Sequence, residues 1–392
     1  MKISTMRKID TIVGNLVCLI LYLFERMRSC FLSNKTAMQE PHKILVIKYL
    51  GMGSLLYATP AMSAIKKKHP ACKIVLLTFE ESRELSEIIQ LFDTVFTVRT
   101  GNIFVLLKDT FSTLAVIRRD YFEYVLDLEF FSRYSTIVSY LSEAKCRVGY
   151  SIPQIWRGNL LHIPVQFNHF QHISRVFADQ IEALGIAVDD CIVGKLEIFD
   201  DSLLAVKKLL LSFGVQLNLL LIGVNINASN LAFERRWHKE NFIRLIEVVS
   251  KRYGVTILLI GSKSEEQYVT DLYNDLSGFA RQRTFNLSGK TDLKELVALF
   301  SLMDLFITND SGPLHIAAAT GVKTVSFFGP ETPQLYGQQG GNHCVFYAGI
   351  ECSPCLNALN AKIANCAGDN RCMRAIRSEE VIEVVCRLLD EV

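Results

Sequence analysis

The chain has 392 residues, room for two or three domains at ~100–200 residues each. Lysine and arginine number 42 against 40 acids, a formal charge of +2, and 50% of residues are hydrophobic. That balance lacks the basic footprint of a duplex-binding protein, so no nucleic-acid partner is expected, and the apolar content excludes a disordered chain.

The first 40 residues read as an apolar or amphipathic helix and a linker. Arg7 and Lys8 precede an apolar stretch over residues 12–24, and Arg26 and Arg28 follow it. The stretch is shorter than the ~20 residues of a spanning helix and contains Gly14 and Asn15. No small-residue cleavage site follows, which argues against a removed signal peptide. A helix lying in the membrane interface, basic flanks toward anionic head groups, is the preferred reading. A buried or dimer-forming helix is the alternative, and a spanning helix fits least. Residues 29–41 form a polar linker closed by Pro41.

Beyond it, short apolar runs alternate with helical stretches. Residues 43–48 (KILVIK), 73–78 (KIVLLT), 94–98 and 124–128 (YVLDL) read as strands, with helices over 55–69 and 112–119. In the second half, 219–225 (LLLIGVN), 255–260 (VTILLI), 305–308 and 324–328 (TVSFF) read as strands. Helices are expected over 239–252, 265–276, 293–300 and 313–320. Such alternation implies βαβ units with right-handed crossovers. The expected architecture is α/β, with two doubly wound domains over 41–205 and 206–392, and ligands in a cleft at the carboxyl ends of strands.

The loops at those ends hold the chemistry. In 48–54 (KYLGMGS), Gly51 and Gly53 flank Met52 and permit a sharp turn and close ligand approach, with Ser54 at the helix entry. Leu56 breaks a full G-x-G-x-x-G pattern. Asp127 and Glu129 end a strand on one side, as a general base with a hydrogen-bonding partner or as structural acids. In 225–237 (NINASNLAFERRW), Asn225 ends a strand while Arg235 and Arg236 precede Trp237. A cation there balances phosphate charge; the alternative is a solvated arginine pair beside a half-buried Trp. In 308–313 (TNDSGP), Asp310 or Ser311 caps the next helix, Gly312 allows close approach, Pro313 stands in the first turn, and His315 lies within it. This is a diphosphate cradle or an ordinary capped helix.

The 11 cysteines, an odd count, do not form a secreted disulfide framework, and a reducing compartment fits better. No metal is expected. The one place for it is Cys352, Cys355, Cys366 and Cys372, whose C-x2-C-x10-C-x5-C spacing is too wide in its second pair for a typical zinc ribbon.

Together these blocks resemble glycosyltransferase family 9, the lipopolysaccharide heptosyltransferases and relatives, over residues 43–385. The resemblance is carried by 43–60 (KILVIKYLGMGSLLYATP), Asp127-Leu128, Asn225 to Trp237, and Asn309-Asp310-Ser311-Gly312-Pro313-Leu314-His315 running on to Gly329-Pro330. It implies a GT-B fold of two Rossmann-like domains, the acceptor on the first and the nucleotide sugar on the second, with helix 378–389 crossing back. It also implies an inverting, metal-independent and cofactor-free transfer of a heptose-like sugar. The implied donor is a nucleoside-diphosphate sugar, typically ADP-linked. The implied acceptor is lipopolysaccharide or another cell-surface glycan, met at the cytoplasmic face of a bacterial inner membrane. Arg235 matches a donor-phosphate contact, and Asp310, Ser311, Gly312 and His315 match the nucleotide-sugar block, with Asn225 and Pro313 beside them.

One departure matters. Members carry a catalytic Asp after the second glycine of the first loop, where this chain has Ser54. A serine hydroxyl does not deprotonate a sugar hydroxyl at neutral pH without its own base. Glu129 is the expected replacement, with Ser54 hydrogen-bonding the acceptor. A non-catalytic nucleotide-sugar-binding scaffold is the alternative, and a sugar-nucleotide epimerase of the same fold is a third reading.

Overall fold

The central strands are apolar and buried along their length, as a parallel sheet covered on both faces requires. The computed structural model describes residues 3–31, 40–228, 233–357, 364, 366 and 369–391. The chain divides into two units, Met1–Val193 and Gly194–Val392.

In the first unit, β1 (Lys43–Ile47), β2 (Lys73–Phe79), β3 (Thr94–Val98), β4 (Tyr124–Asp127), β5 (Cys146–Ser151) and β6 (Ile163–Gln166) form one parallel sheet in the order β3-β2-β1-β4-β5-β6. Its helices are α1 (Ile3–Phe31), α2 (Met52–Tyr57), α3 (Thr59–Lys68), α4 (Arg83–Ile89), α5 (Ile103–Asp120), α6 (Arg133–Leu141) and α7 (Ile173–Glu182). The chain steps outward from β1 to β3 and then returns to the other side of β1 as β4, with Ile47 level with Asp127. Reversal of direction between adjacent parallel strands leaves a crevice at their carboxyl ends, here β1 and β4. Leu45, Ile47, Val75 and Leu77 pack against Leu114 and Ile117 of α5 and Val138 of α6.

The second unit repeats the plan. It contains β7 (Leu221–Asn225), β8 (Thr256–Leu259), β9 (Thr284–Asn286), β10 (Leu305–Asn309), β11 (Lys323–Phe328) and β12 (His343–Tyr347), ordered β12-β11-β10-β7-β8-β9. Its helices are α8 (Asp200–Ser212), α9 (Lys239–Arg252), α10 (Glu266–Asp275), α11 (Gly278–Gln282), α12 (Leu293–Ser301), α13 (Gly312–Thr320), α14 (Pro333–Tyr336), α15 (Arg371–Arg374) and α16 (Ser378–Asp390). The reversal falls between β7 and β10, where Asn225 is level with Thr308.

All the expected strands are present, and β5, β6, β9 and β12 join them at the sheet flanks. The expected helix over 55–69 is two, meeting at Ala58. The expected helix over 112–119 is the end of α5, which begins at Ile103 behind an Asn102 cap. α8 belongs wholly to the second unit, because the division falls at Val193 rather than at 205. α16 packs on α9 within that unit. Of the expected linker, α1 takes the residues to Phe31, and 32–39 lie outside the described residues.

Trp237 is fully buried, not half-buried. It stacks on Phe327 at 4.3 Å between ring centroids and meets Phe242 edge-on at 5.0 Å. Its indole Nε1 donates to the Ile376 carbonyl at 2.9 Å, so its polar end is satisfied as well. Trp237→Ala is therefore expected to destabilise the second unit by about 3–5 kcal/mol, by lost burial and a cavity. Urea unfolding reports it as a lowered midpoint, and an unchanged midpoint contradicts this packing account.

Candidate active site

At the first switch point, Glu129 lies just beyond β4 and holds the loop that leaves β1. Its Oε1 accepts from the Lys48 ammonium at 2.7 Å, the Tyr49 amide at 2.8 Å and the Leu50 amide at 3.0 Å. Lys48 also donates to the Leu50 carbonyl. The carboxylate thus satisfies two amides past the strand end and neutralises a lysine that is 3% exposed. Among the described residues Oε2 takes no hydrogen bond.

The same loop turns at Gly51, whose φ is +86° and where an added Cβ would meet Ser54 Oγ at 2.7 Å, so only glycine fits. Met52 is exposed and Gly53 buried at the start of α2. The Ser54 hydroxyl shares its one hydrogen between the Gly51 and Leu50 carbonyls, at 2.8 and 3.1 Å. It can therefore accept from a ligand but has no proton left to give.

Asp127 is the inner acid of the pair. It is fully buried. Its Oδ2 accepts from Ser135 at 2.9 Å and Thr136 at 3.2 Å and pairs with Arg157 at 3.2 Å, and its Oδ1 accepts from the Glu129 amide at 3.2 Å. Burial pushes its carboxyl up to about 6, even with Arg157 beside it. Strand alternation does put it on the side of Glu129, but below it, where it orients Glu129 without reaching solvent.

At the second switch point the residues singled out from sequence converge. Arg235, in the 3-10 turn Phe233–Arg235, places Nε 3.4 Å from Asp310 Oδ2 and Nη2 3.3 Å from Glu331 Oε2. Burial works against its charge, but Asp310 and then Glu331 hold it in the charged form. Glu331, 1% exposed just past β11, carries no sequence signal beyond its place after Gly329-Pro330. His315 lies in α13 with Nε2 4.0 Å from Asp310 Oδ1 and Nδ1 3.1 Å from the Gln338 side chain.

Ser311 stands at the cap position of α13 but does not cap it. Its hydroxyl instead meets the Asn225 amide at 3.1 Å and Thr308 Oγ1 at 3.2 Å, tying β7 to β10. Neither Asp310 nor Ser311 therefore shields the first turn of α13, where Gly312 and Pro313 stand. Asn225 is 2% exposed, and its Oδ1 accepts from the Asn227 amide at 3.1 Å, so it braces the loop that leaves β7. Asn309, which heads the Asn309–His315 block, is a brace as well. Its Oδ1 accepts from the Trp237 amide at 2.8 Å and its Nδ2 donates to the Ile226 and Asn227 carbonyls. Asn370 holds the same stretch from the other side, donating to the Glu234 and Arg236 carbonyls. Residues 229–232, within the expected 225–237 block, lie outside the described residues.

The family model for glycosyltransferase family 9 (heptosyltransferase) matches residues 211–363, which include Arg235, Asp310 and Glu331. Over that segment the chain resembles glycosyltransferase family 9. It is 32% identical to lipooligosaccharide heptosyltransferase 2 of Campylobacter jejuni over 170 residues, 43% of this chain and 51% of that protein, so it spans about half the length of that relative. It is 24% identical to lipopolysaccharide heptosyltransferase 3 of Escherichia coli over 349 residues, 86% of this chain and 96% of that one. The structure of E. coli ADP-heptose lipopolysaccharide heptosyltransferase II superposes with a TM-score of 0.70 at 17% identity, covering 89% of this chain and 99% of the other, and so shares the GT-B fold.

Cys352, Cys355, Cys366 and Cys372 carry thiols rather than disulfides. The Cys355 amide donates to the Pro330 carbonyl at 2.9 Å, and Cys372 Sγ abuts Gly329, so this segment buttresses the turn that presents Glu331. Burial raises the Cys355 thiol and pushes that of Cys372 up to about 11, which leaves both protonated at neutral pH. Among the described residues no group of three or more His, Cys, Asp or Glu is placed to hold a metal ion.

The raised Asp127 carboxyl has a stability consequence. Its folded value near 6 exceeds the ordinary 3.8, so the folded state holds the proton more tightly. The associated stabilisation is full below about pH 4 and is lost as pH rises through 6. Asp127→Asn removes this dependence. The difference in urea midpoint between the two proteins should change between pH 4 and 6 and stay flat above 7. A constant difference over that range contradicts the assignment.

Proposed function

We propose that the chain is an inverting, metal-independent glycosyltransferase moving a heptose-like sugar from a nucleoside-diphosphate sugar, ADP-linked, to lipopolysaccharide or another cell-surface glycan. The observation that carries this is Arg235, its side chain 14% exposed, held charged at the carboxyl edge of β10 and β11 inside the segment the family model matches. Its contacts of 3.3 and 3.4 Å are loose for guanidinium–carboxylate pairs, which close to ~2.7–2.9 Å. The guanidinium can therefore exchange a carboxylate for a phosphate oxygen. The name of the similar E. coli protein contains ADP-heptose, which supports an ADP-linked donor.

In this reading Glu129 Oε2 takes the proton of the acceptor hydroxyl. The oxygen attacks the anomeric carbon opposite the diphosphate, and the departing bond's electron pair goes to the diphosphate oxygen. Arg235 and the N-terminal end of α13 stabilise that charge, and attack from the opposite side inverts the anomeric configuration. Ser54 accepts a hydrogen bond from the acceptor, Asp127 holds Glu129, and the reaction needs no cofactor. The acceptor is lipid-linked, and the enzyme meets it as a peripheral protein at the cytoplasmic face of the inner membrane.

Calorimetry with ADP, UDP, GDP and CDP tests the donor half. Selective ADP binding is expected, weakened about ten- to a hundredfold in Arg235→Ala, as loss of a charged hydrogen bond predicts, and less in Arg235→Lys. Folded protein that binds none of the four overturns the donor assignment and leaves a scaffold. For the acceptor half, Glu129→Gln should lower kcat by about 10²–10⁴ with nucleotide affinity unchanged. Near-normal turnover in that variant removes Glu129 as the base.

A further inference from the structure

α1 is amphipathic in an inverted sense. Its polar groups are turned into the first unit and its apolar groups away from it. Asp10 accepts from Ser132 Oγ at 3.2 Å and from the Arg133 and Tyr134 amides at 3.1 and 2.7 Å, so it caps α6. Asn15 Oδ1 accepts from Arg133 Nε at 2.5 Å. Glu25 accepts from the Tyr140 hydroxyl at 2.9 Å and lies 3.7 Å from Arg147 Nη2. Close approach is set by Gly14, where an added Cβ would meet Arg133 Cβ at 2.8 Å.

The opposite face has no cover among the described residues. Ile12, Leu16, Ile20, Leu23, Phe24 and Met27 are each between 52% and 74% exposed, at spacings that line one side of a helix. The exposed charges of α1 are Lys8, Arg26 and Arg28, all basic; Asp10 faces inward, and the partly exposed Glu25 lies 3.9 Å from Arg28 on the helix itself. α5, which also packs on α6, exposes Phe104 and Phe111 with Lys108 between them. No helix among the described residues is long and apolar enough to cross a membrane.

We propose that α1 is a lipid-docking helix lying in the plane of an anionic bilayer surface, fixed to the first unit by the Asp10, Asn15 and Glu25 latch. Charge decides the occupant. A second copy of this stripe would bring lysine and arginine against their own kind, with only the partly exposed Glu25 of α1 to meet them. Anionic head groups offer the opposite charge to this net-basic exposed face, and the acyl boundary takes the apolar stripe. The inference extends the membrane contact of the proposed transferase, but lipid binding is read without any nucleotide sugar, so the failure of either can be told from that of the other.

The test uses the full chain and sedimentation with vesicles of phosphatidylcholine alone or mixed with phosphatidylglycerol. Partitioning onto the anionic vesicles should be roughly tenfold or more above the neutral ones and should fall with added salt. Leu16→Glu with Leu23→Glu, on the exposed face, should cut that partitioning roughly tenfold or more while leaving ADP binding and the circular dichroism spectrum unchanged. Absence of vesicle binding, equal binding by the variant, or a concentration-dependent dimer that the variant abolishes overturns the proposal. The last outcome assigns the stripe to a second copy.

Discussion

Both units depend on one constraint: where parallel strands diverge at a switch point, the backbone leaving them loses its neighbour, and a buried side chain must take its hydrogen bonds. In the first unit Glu129 does so, receiving the Tyr49 and Leu50 amides on one oxygen. In the second unit Asn309 does so with both ends of its amide, between the Trp237 amide and the carbonyls of Ile226 and Asn227. The choice of residue differs for a physical reason. The first loop brings a buried lysine, so the clip must be an anion, whereas the second brings a donor and two acceptors, which a neutral amide matches.

The same comparison separates two electrostatic designs. In the first unit each buried cation meets its own acid, Lys48 with Glu129 and Arg157 with Asp127. In the second a single guanidinium faces two carboxylates. The first arrangement is closed and rigid, suited to orienting a loop. The second keeps a guaranteed positive charge whose geometry is not locked by a bidentate pair.

The fold was readable in the sequence where burial was complete, and this explains what was missed. Strands such as KILVI and KIVLLTF are nearly continuous apolar runs after their first lysine, while Ile163–Gln166 alternates partly buried and exposed residues, and Thr284–Asn286 is too short to show a period. The first half of α5 was unreadable because Phe104 and Phe111 are apolar and exposed, which erases the amphipathic contrast. At the site, Arg235, Asp310 and His315 were visible as a motif, but Glu331 was not, since a lone acid after a strand has no local pattern. The roles of Asp127 and Glu129 could not be divided from sequence, because a period of two tells which side of a strand a residue takes and nothing of its depth.

The docking of α1 also has a consequence in time. The residues that Asp10 caps lie 122 to 124 positions further along the chain. At ~5–20 residues per second of synthesis, roughly 6–25 s separate the emergence of α1 from that of its partners. During that interval Asp10, Asn15 and Glu25 have no partner beyond α1, and the apolar stripe is already complete. The order of synthesis therefore presents the stripe before the fold that fixes it, and the latch closes only once α6 and Arg147 have been made.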